Sequence, residues 1–102
     1  MGRLVKIRVK DLVDTVYSND DGKVVYSEVK KQLQENNKVA VSFDTIGALN
    51  TSFVNSAFIE LLKDYDFNYI KNHIQFIDST NQINQMIKSR FSFEVNNTKV
   101  YH

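Results

Sequence analysis

Residues 38–63 read KVAVSFDTIGALNTSFVNSAFIELLK. Val39, Val41 and Phe43 alternate with Ala40 and Ser42, and such small intervening residues predict a central strand over 38–43 that is covered on both faces. Beyond a loop containing Gly47, the residues Val54, Ala57, Phe58, Leu61 and Leu62 follow the i, i+3, i+4, i+7, i+8 pattern of a helix with one buried stripe. That helix begins at Thr51 or Ser52. A strand, a loop and a helix N-terminus in this order put the hydroxyls of Thr51 and Ser52 next to unpaired backbone N–H groups, a setting that favours a phosphate. Asn50, Thr51 and Ser52 are equally good helix caps. The turn is therefore either a regulatory surface or a cap.

Both flanks carry the same alternation of periods. Upstream, Val5, Ile7 and Val9 alternate with Lys6 and Arg8, which predicts an edge-like first strand over 3–9 with one face in water. Lys10 to Ser18 reads equally as a helical turn or a second strand. Asn19-Asp20-Asp21-Gly22 supplies turn chemistry and acidic cap candidates for a first helix, in which Val25, Val29 and Leu33 recur every four residues until Asn36-Asn37 stops it. Downstream, Lys63, Asp64, Asp66 and Asn68 mark the exit of the second helix, with Tyr65, Phe67 and Tyr69 folding over the end of the core. A third strand follows at 72–77, and Asp78-Ser79-Thr80 opens a third helix through Ile83 and Ile87 to about Arg90. The stretch from Phe91 to His102 reads as more helix or as a small hairpin turning at Asn96-Asn97 before Thr98 to Tyr101.

The order is β-α-β-α-β-α, and helices between strands imply crossovers and a mostly parallel sheet, or a mixed one of three to five strands. With 102 residues and 42% apolar content the chain is of single-domain size, one α/β sandwich over 1–102. Thirteen Lys plus Arg against twelve Asp plus Glu leave a charge of +1, so no global field draws in nucleic acid or an anionic membrane. Neither is expected as a partner. The first residues lack the pattern of a secretion signal, so a cytoplasmic location is expected. Having no cysteine removes thiolate nucleophiles and thiolate metal sites.

Around the turn the residues carry a resemblance. Ser42-Phe43-Asp44, Ile46-Gly47 and Leu49-Asn50-Thr51-Ser52-Phe53-Val54-Asn55, with Ala57-Phe58 and Leu61-Leu62 behind them, resemble the STAS-like family of small bacterial domains. By extension the chain is similar to the anti-sigma factor antagonists, whose STAS domains have a strand, an Asp-Ser-Ser-Gly turn and a helix. There the second serine is phosphorylated by a partner kinase. Asn50 falls on that motif's Asp, Thr51 on its first Ser, Ser52 on the phosphoacceptor and Phe53 on its Gly. The resemblance implies a histidine-kinase-like ATPase of the anti-sigma type as partner.

Other constellations are weaker. Asp14, Asp20, Asp21 and Gly22 lack the spacing and terminal Glu of a calcium loop. Neither His73 nor His102 has a second ligand at metal spacing. Ser52, His73 and Asp44 as a hydrolytic triad would need the G-x-S-x-G glycines, and the Gly47 loop lacks the pattern of a P-loop. No cofactor, metal or catalytic residue is therefore expected. The expectation is a non-catalytic interaction domain that binds its partner through Asp44, Gly47, Asn50, Thr51, Ser52 and Asn55, with Ser52 or Thr51 as phosphoacceptor. The alternatives are a small anion- or nucleotide-binding module and a structural oligomerisation domain that pairs through its first strand.

Overall fold

Three parallel strands form the sheet in the order β1-β2-β3, with β1 at Leu4–Arg8, β2 at Lys38–Ser42 and β3 at Ile74–Ile77. The computed structural model describes residues 2–100, and side chains for residues 2–96. Five α-helices accompany the sheet in this range: α1 Val9–Leu12, α2 Asn19–Gln34, α3 Thr51–Ala57, α4 Phe67–His73 and α5 Asn81–Val100. A 3-10 helix, Ile59–Lys63, follows α3. Among the described residues no helix is long and apolar enough to cross a membrane.

The strand at 38–43 is central and buried from Val39 to Phe43, while the charged first strand lies at an edge. In-register pairing lines up Val5, Val39 and Ile74 in one row and Ile7, Val41 and Phe76 in the next. These rows form the apolar face that meets the helices. Both crossovers step across the sheet in the same direction, so right-handed connections put their helices on one side, where α2 packs along α3.

The helices are more numerous than one per crossover. Lys10 to Ser18 gives the single turn of α1 and an irregular link that buries Val13 and Val16. The acids ahead of the first helix do not cap it; Ser18 Oγ accepts from the Asp21 N–H (3.1 Å), and Asp20 and Asp21 lie inside the first turn, where they complement the helix dipole. At the other end Asn36 adopts a left-handed backbone (φ 62°), with Asn36 N–H bonded to Leu33 O and Asn37 N–H to Gln32 O. This is a Schellman stop.

Tyr65, Phe67 and Tyr69 pack against the core as expected, but Phe67 and Tyr69 do so from a helix. Asp66 Oδ1 accepts from the Tyr69 N–H (2.8 Å) and starts α4, so the helical period stacks Tyr65 on Tyr69 and Tyr69 on His73, while Phe67 turns towards Phe91. The hairpin at Asn96-Asn97 does not form. Ile83, Ile87 and Phe91 keep one buried stripe running past Arg90, and Arg90 pairs with Glu94 one turn on (3.2 Å), so the helix continues to Val100. Tyr101 and His102 lie outside the described residues.

Four aromatic rings bind the layers. Phe58 meets Phe76 edge-on at 5.1 Å, Phe43 at 6.2 Å and Phe53 at 6.4 Å, and it is fully buried. Phe58→Ala is expected to cost about 3–5 kcal/mol in urea unfolding, with Phe58→Leu costing clearly less because it refills most of the volume. Gly22 sets the spacing of the two main helices, since a Cβ there would lie 2.8 Å from the Phe53 carbonyl oxygen and 2.6 Å from the Ser56 Cβ. Gly22→Ala is expected to lower stability by about 1–3 kcal/mol through this clash, even though Ala is the better helix former, and calorimetry would read the loss as a lower Tm.

Candidate functional site

Asn50, not Thr51 or Ser52, caps α3. Its backbone is extended, its Oδ1 accepts from the Phe53 N–H (3.0 Å) and its Nδ2 donates to the Tyr17 carbonyl (2.9 Å), so one amide closes the helix and ties the turn to the link before α2. Thr51 and Ser52 then occupy the first two helical positions, both exposed. The Thr51 hydroxyl points towards the Met86 sulfur at 3.7 Å. The Ser52 hydroxyl makes no hydrogen bond with the described residues.

Phe53 turns the other way. It is fully buried and lies edge-on to Phe58, so its ring does not obstruct the surface on which Ser52 stands. A sequence signal for this existed in the stripe Phe53, Ala57, Leu61, all fully buried at i, i+4, i+8.

The loop between β2 and α3 is held at several points. Ile46 N–H bonds Phe43 O (2.8 Å), and Gln82 at the start of α5 grips Leu49 twice, accepting from its N–H (3.0 Å) and donating to its carbonyl (3.1 Å). Thr80 Oγ1 donates to the Gly47 carbonyl (2.9 Å). Sequence reasoning missed Gln82 and Thr80, because neither lies in the stretch that forms the turn. The left-handed residue of the loop is Thr45 (φ 68°), a β-branched residue strained there, whereas Gly47 has an ordinary φ and open space where a Cβ would go. Conformation therefore does not require glycine at 47.

The remaining predicted residues are distributed unevenly. Asp44 is exposed and its Oδ2 accepts from Arg8 Nε (3.4 Å), while Arg8 Nη1 pairs with Asp11 (2.9 Å). The Asp11 hydrogen bond, ahead of Asp44, raises the Arg8 pKa above its already high value and so keeps the charge in place. Asn55 is half-buried and faces α5, its Oδ1 accepting from Arg90 Nε (2.8 Å). Behind Asp44, the buried Ser42 hydroxyl donates to Asp78 Oδ2 (2.6 Å) and accepts from the Asp44 N–H (3.3 Å). His73 Nδ1 lies 2.8 Å from the Tyr69 carbonyl, and no hydrogen bond joins Ser52, His73 and Asp44. Tyr17, 60% exposed beside Asn50, adds an aromatic group to this surface that the sequence did not single out.

The cap assignment separates the adjacent side chains energetically. Asn50→Ala is expected to cost about 1–2 kcal/mol through loss of the cap, whereas Ser52→Ala stays within about 0.5 kcal/mol of wild type. Urea titration of the two variants checks the ranking.

The family model for the STAS-like domain of unknown function (DUF4325) matches residues 21–84, from the first turn of α2 into α5. Neither the curated proteins nor the solved structures give a match. The match takes in β2, the β2–α3 loop, the capped turn and β3, and it spans more than half of the sequence. On that ground the chain belongs to the STAS-like domain family.

Proposed function

We propose that this domain is a non-catalytic regulatory module that binds a protein partner through the β2–α3 loop and the first turn of α3, and that phosphorylation of Ser52 switches this binding. The observation that carries the reading is how that turn is built: Asn50 holds the cap, Phe53 points inward, and Ser52 is left exposed without a hydrogen-bond partner among the described residues. A phosphate on Ser52 adds roughly two negative charges at the positive end of a helix. Asp44 already spends part of its charge on Arg8, so the phosphate would dominate the local field. Exposed Tyr17 supplies the aromatic anchor that protein interfaces favour. Thr51 is the second phosphoacceptor candidate, with its hydroxyl turned towards Met86.

The similarity to anti-sigma factor antagonists supports a cytoplasmic, histidine-kinase-like ATPase as both kinase and partner. Capping weighs against the anion-binding alternative, because the Phe53 N–H, one of the donors an anion would use, is taken by Asn50.

Incubation with ATP and an ATPase of the anti-sigma type, followed by intact-mass analysis, tests the switch. The chain is expected to gain one phosphate, to lose that gain in Ser52→Ala and to keep it in Thr51→Ala; Ser52→Glu should shift partner affinity by about tenfold or more. No phosphate on Ser52, together with unchanged binding by Ser52→Glu, would sink the proposal. A rise in Tm with phosphate or ATP alone would favour the ligand module instead. A mass in solution that grows with concentration would favour self-association.

A further inference from the structure

We infer that the open edge of β3 and the groove beside it form a second protein-binding site, which takes an extended acidic segment of a partner as a fourth strand of the sheet. Among the described residues β3 pairs only with β2. The Ile74 N–H closes α4 by bonding Ile70 O, and beyond it no other described element bonds the outer edge of this strand. Unpaired strand groups of this kind are a template for another strand.

Alongside that edge, between α4 and α5, lies a groove of about 480 Å³ lined by the apolar side chains of Phe67, Ile70, Ile74, Phe76, Ile87 and Phe91. It stays open because α5 packs chiefly against α3 and the 3-10 helix. A peptide added to β3 would direct every second side chain to the face that carries Ile74 and Phe76, and so into the groove. Backbone pairing and apolar pockets then act together at one site.

Charge selects the occupant. Lys71 and Lys88 line the groove, both are exposed, and neither makes an ion pair with the described residues; no carboxylate is among the lining side chains. A second copy pairing β3 to β3 would gather two such lysine pairs around one seam. A second copy offering β1 would bring Lys6 and, just ahead of the strand, Arg3, both exposed and without an ion pair among the described residues. Both arrangements add like charge, whereas a segment with alternating apolar residues and flanking Asp or Glu removes it. None of the groove residues lies within 44–55, so this site does not depend on the switch at Ser52.

The test is selection of a displayed library of random peptides, about twelve residues long, on the full chain, followed by titration of labelled winners against three proteins. These are wild type, Lys71→Glu with Lys88→Glu, and Ser92→Trp, which fills the groove from an exposed position. The expected result is enrichment of alternating, acid-rich peptides that bind about tenfold or more weakly to both variants and slow amide exchange within residues 75–77. The inference is overturned if no peptide is selected, if winners lack the acidic bias, if the charge reversal leaves affinity unchanged, or if the β3 amides stay unprotected. It is equally overturned if dodecanoate occupies the groove while no peptide does, or if wild type self-associates and Ser92→Trp does not.

Discussion

Phe58 makes the contact between sheet and helices on which the other layers depend. It stands where α3 gives way to the 3-10 helix, and its ring meets Phe76 from β3, Phe43 from the end of β2 and Phe53 from α3. Edge-to-face packing at these distances adds to the gain from burying the rings themselves. The tighter winding that follows, with Leu61 N–H bonded to Phe58 O at i+3 spacing (3.1 Å), brings both Ile59 and Leu61 into the core. A uniform α-helix through 63 would have left Ile59 off the buried stripe. Gly22 completes the arrangement from the opposite side, letting α2 approach the α3 backbone closely enough to keep the cluster dry.

Sequence legibility followed the strength of the period. β2 and the buried stripe of α3 could be read because small residues alternating with valines, and apolar residues at helical spacing, admit one solution each. The Asn36-Asn37 stop of α2 was likewise visible, since Asn tolerates the left-handed backbone that ends a helix. Elsewhere two periods fitted the same residues. Tyr65, Phe67 and Tyr69 alternate as in a strand, yet Tyr65, Tyr69 and His73 also fall one helical turn apart, and the Asp66 cap decided for the helix. At the tail the alternation of Phe91, Phe93 and Val95 left a hairpin open beside more helix, and the stripe Ile83, Ile87, Phe91, with a core to bury against, decided for the helix. A local cap outranked the alternation in the first place and tertiary burial did so in the second.

For the turn at 50–52 the composition was legible and the division of labour was not. Three adjacent residues could each cap a helix, and which one does so depends on where the backbone leaves the extended region, a property of the loop as a whole. That loop is held by Gln82 and Thr80, some thirty residues away, and its one strained backbone is at Thr45 rather than at Gly47. Long-range polar contacts of this kind leave no periodic trace.

Asn50 suits its place at the turn in a way that an acidic residue would not. A carboxylate could accept from the Phe53 N–H, but it has no proton with which to donate to the Tyr17 carbonyl, so Asp at this position would keep the cap and lose the tie to the link before α2. The neutral amide satisfies both groups and fixes Tyr17 beside the turn. It also leaves the first turn of α3 without an acidic residue, so a negative group arriving at Ser52 would meet the helix dipole without a competing charge from within that turn. The amide at position 50 thus makes a second hydrogen bond and presents a less negative surface than a carboxylate would.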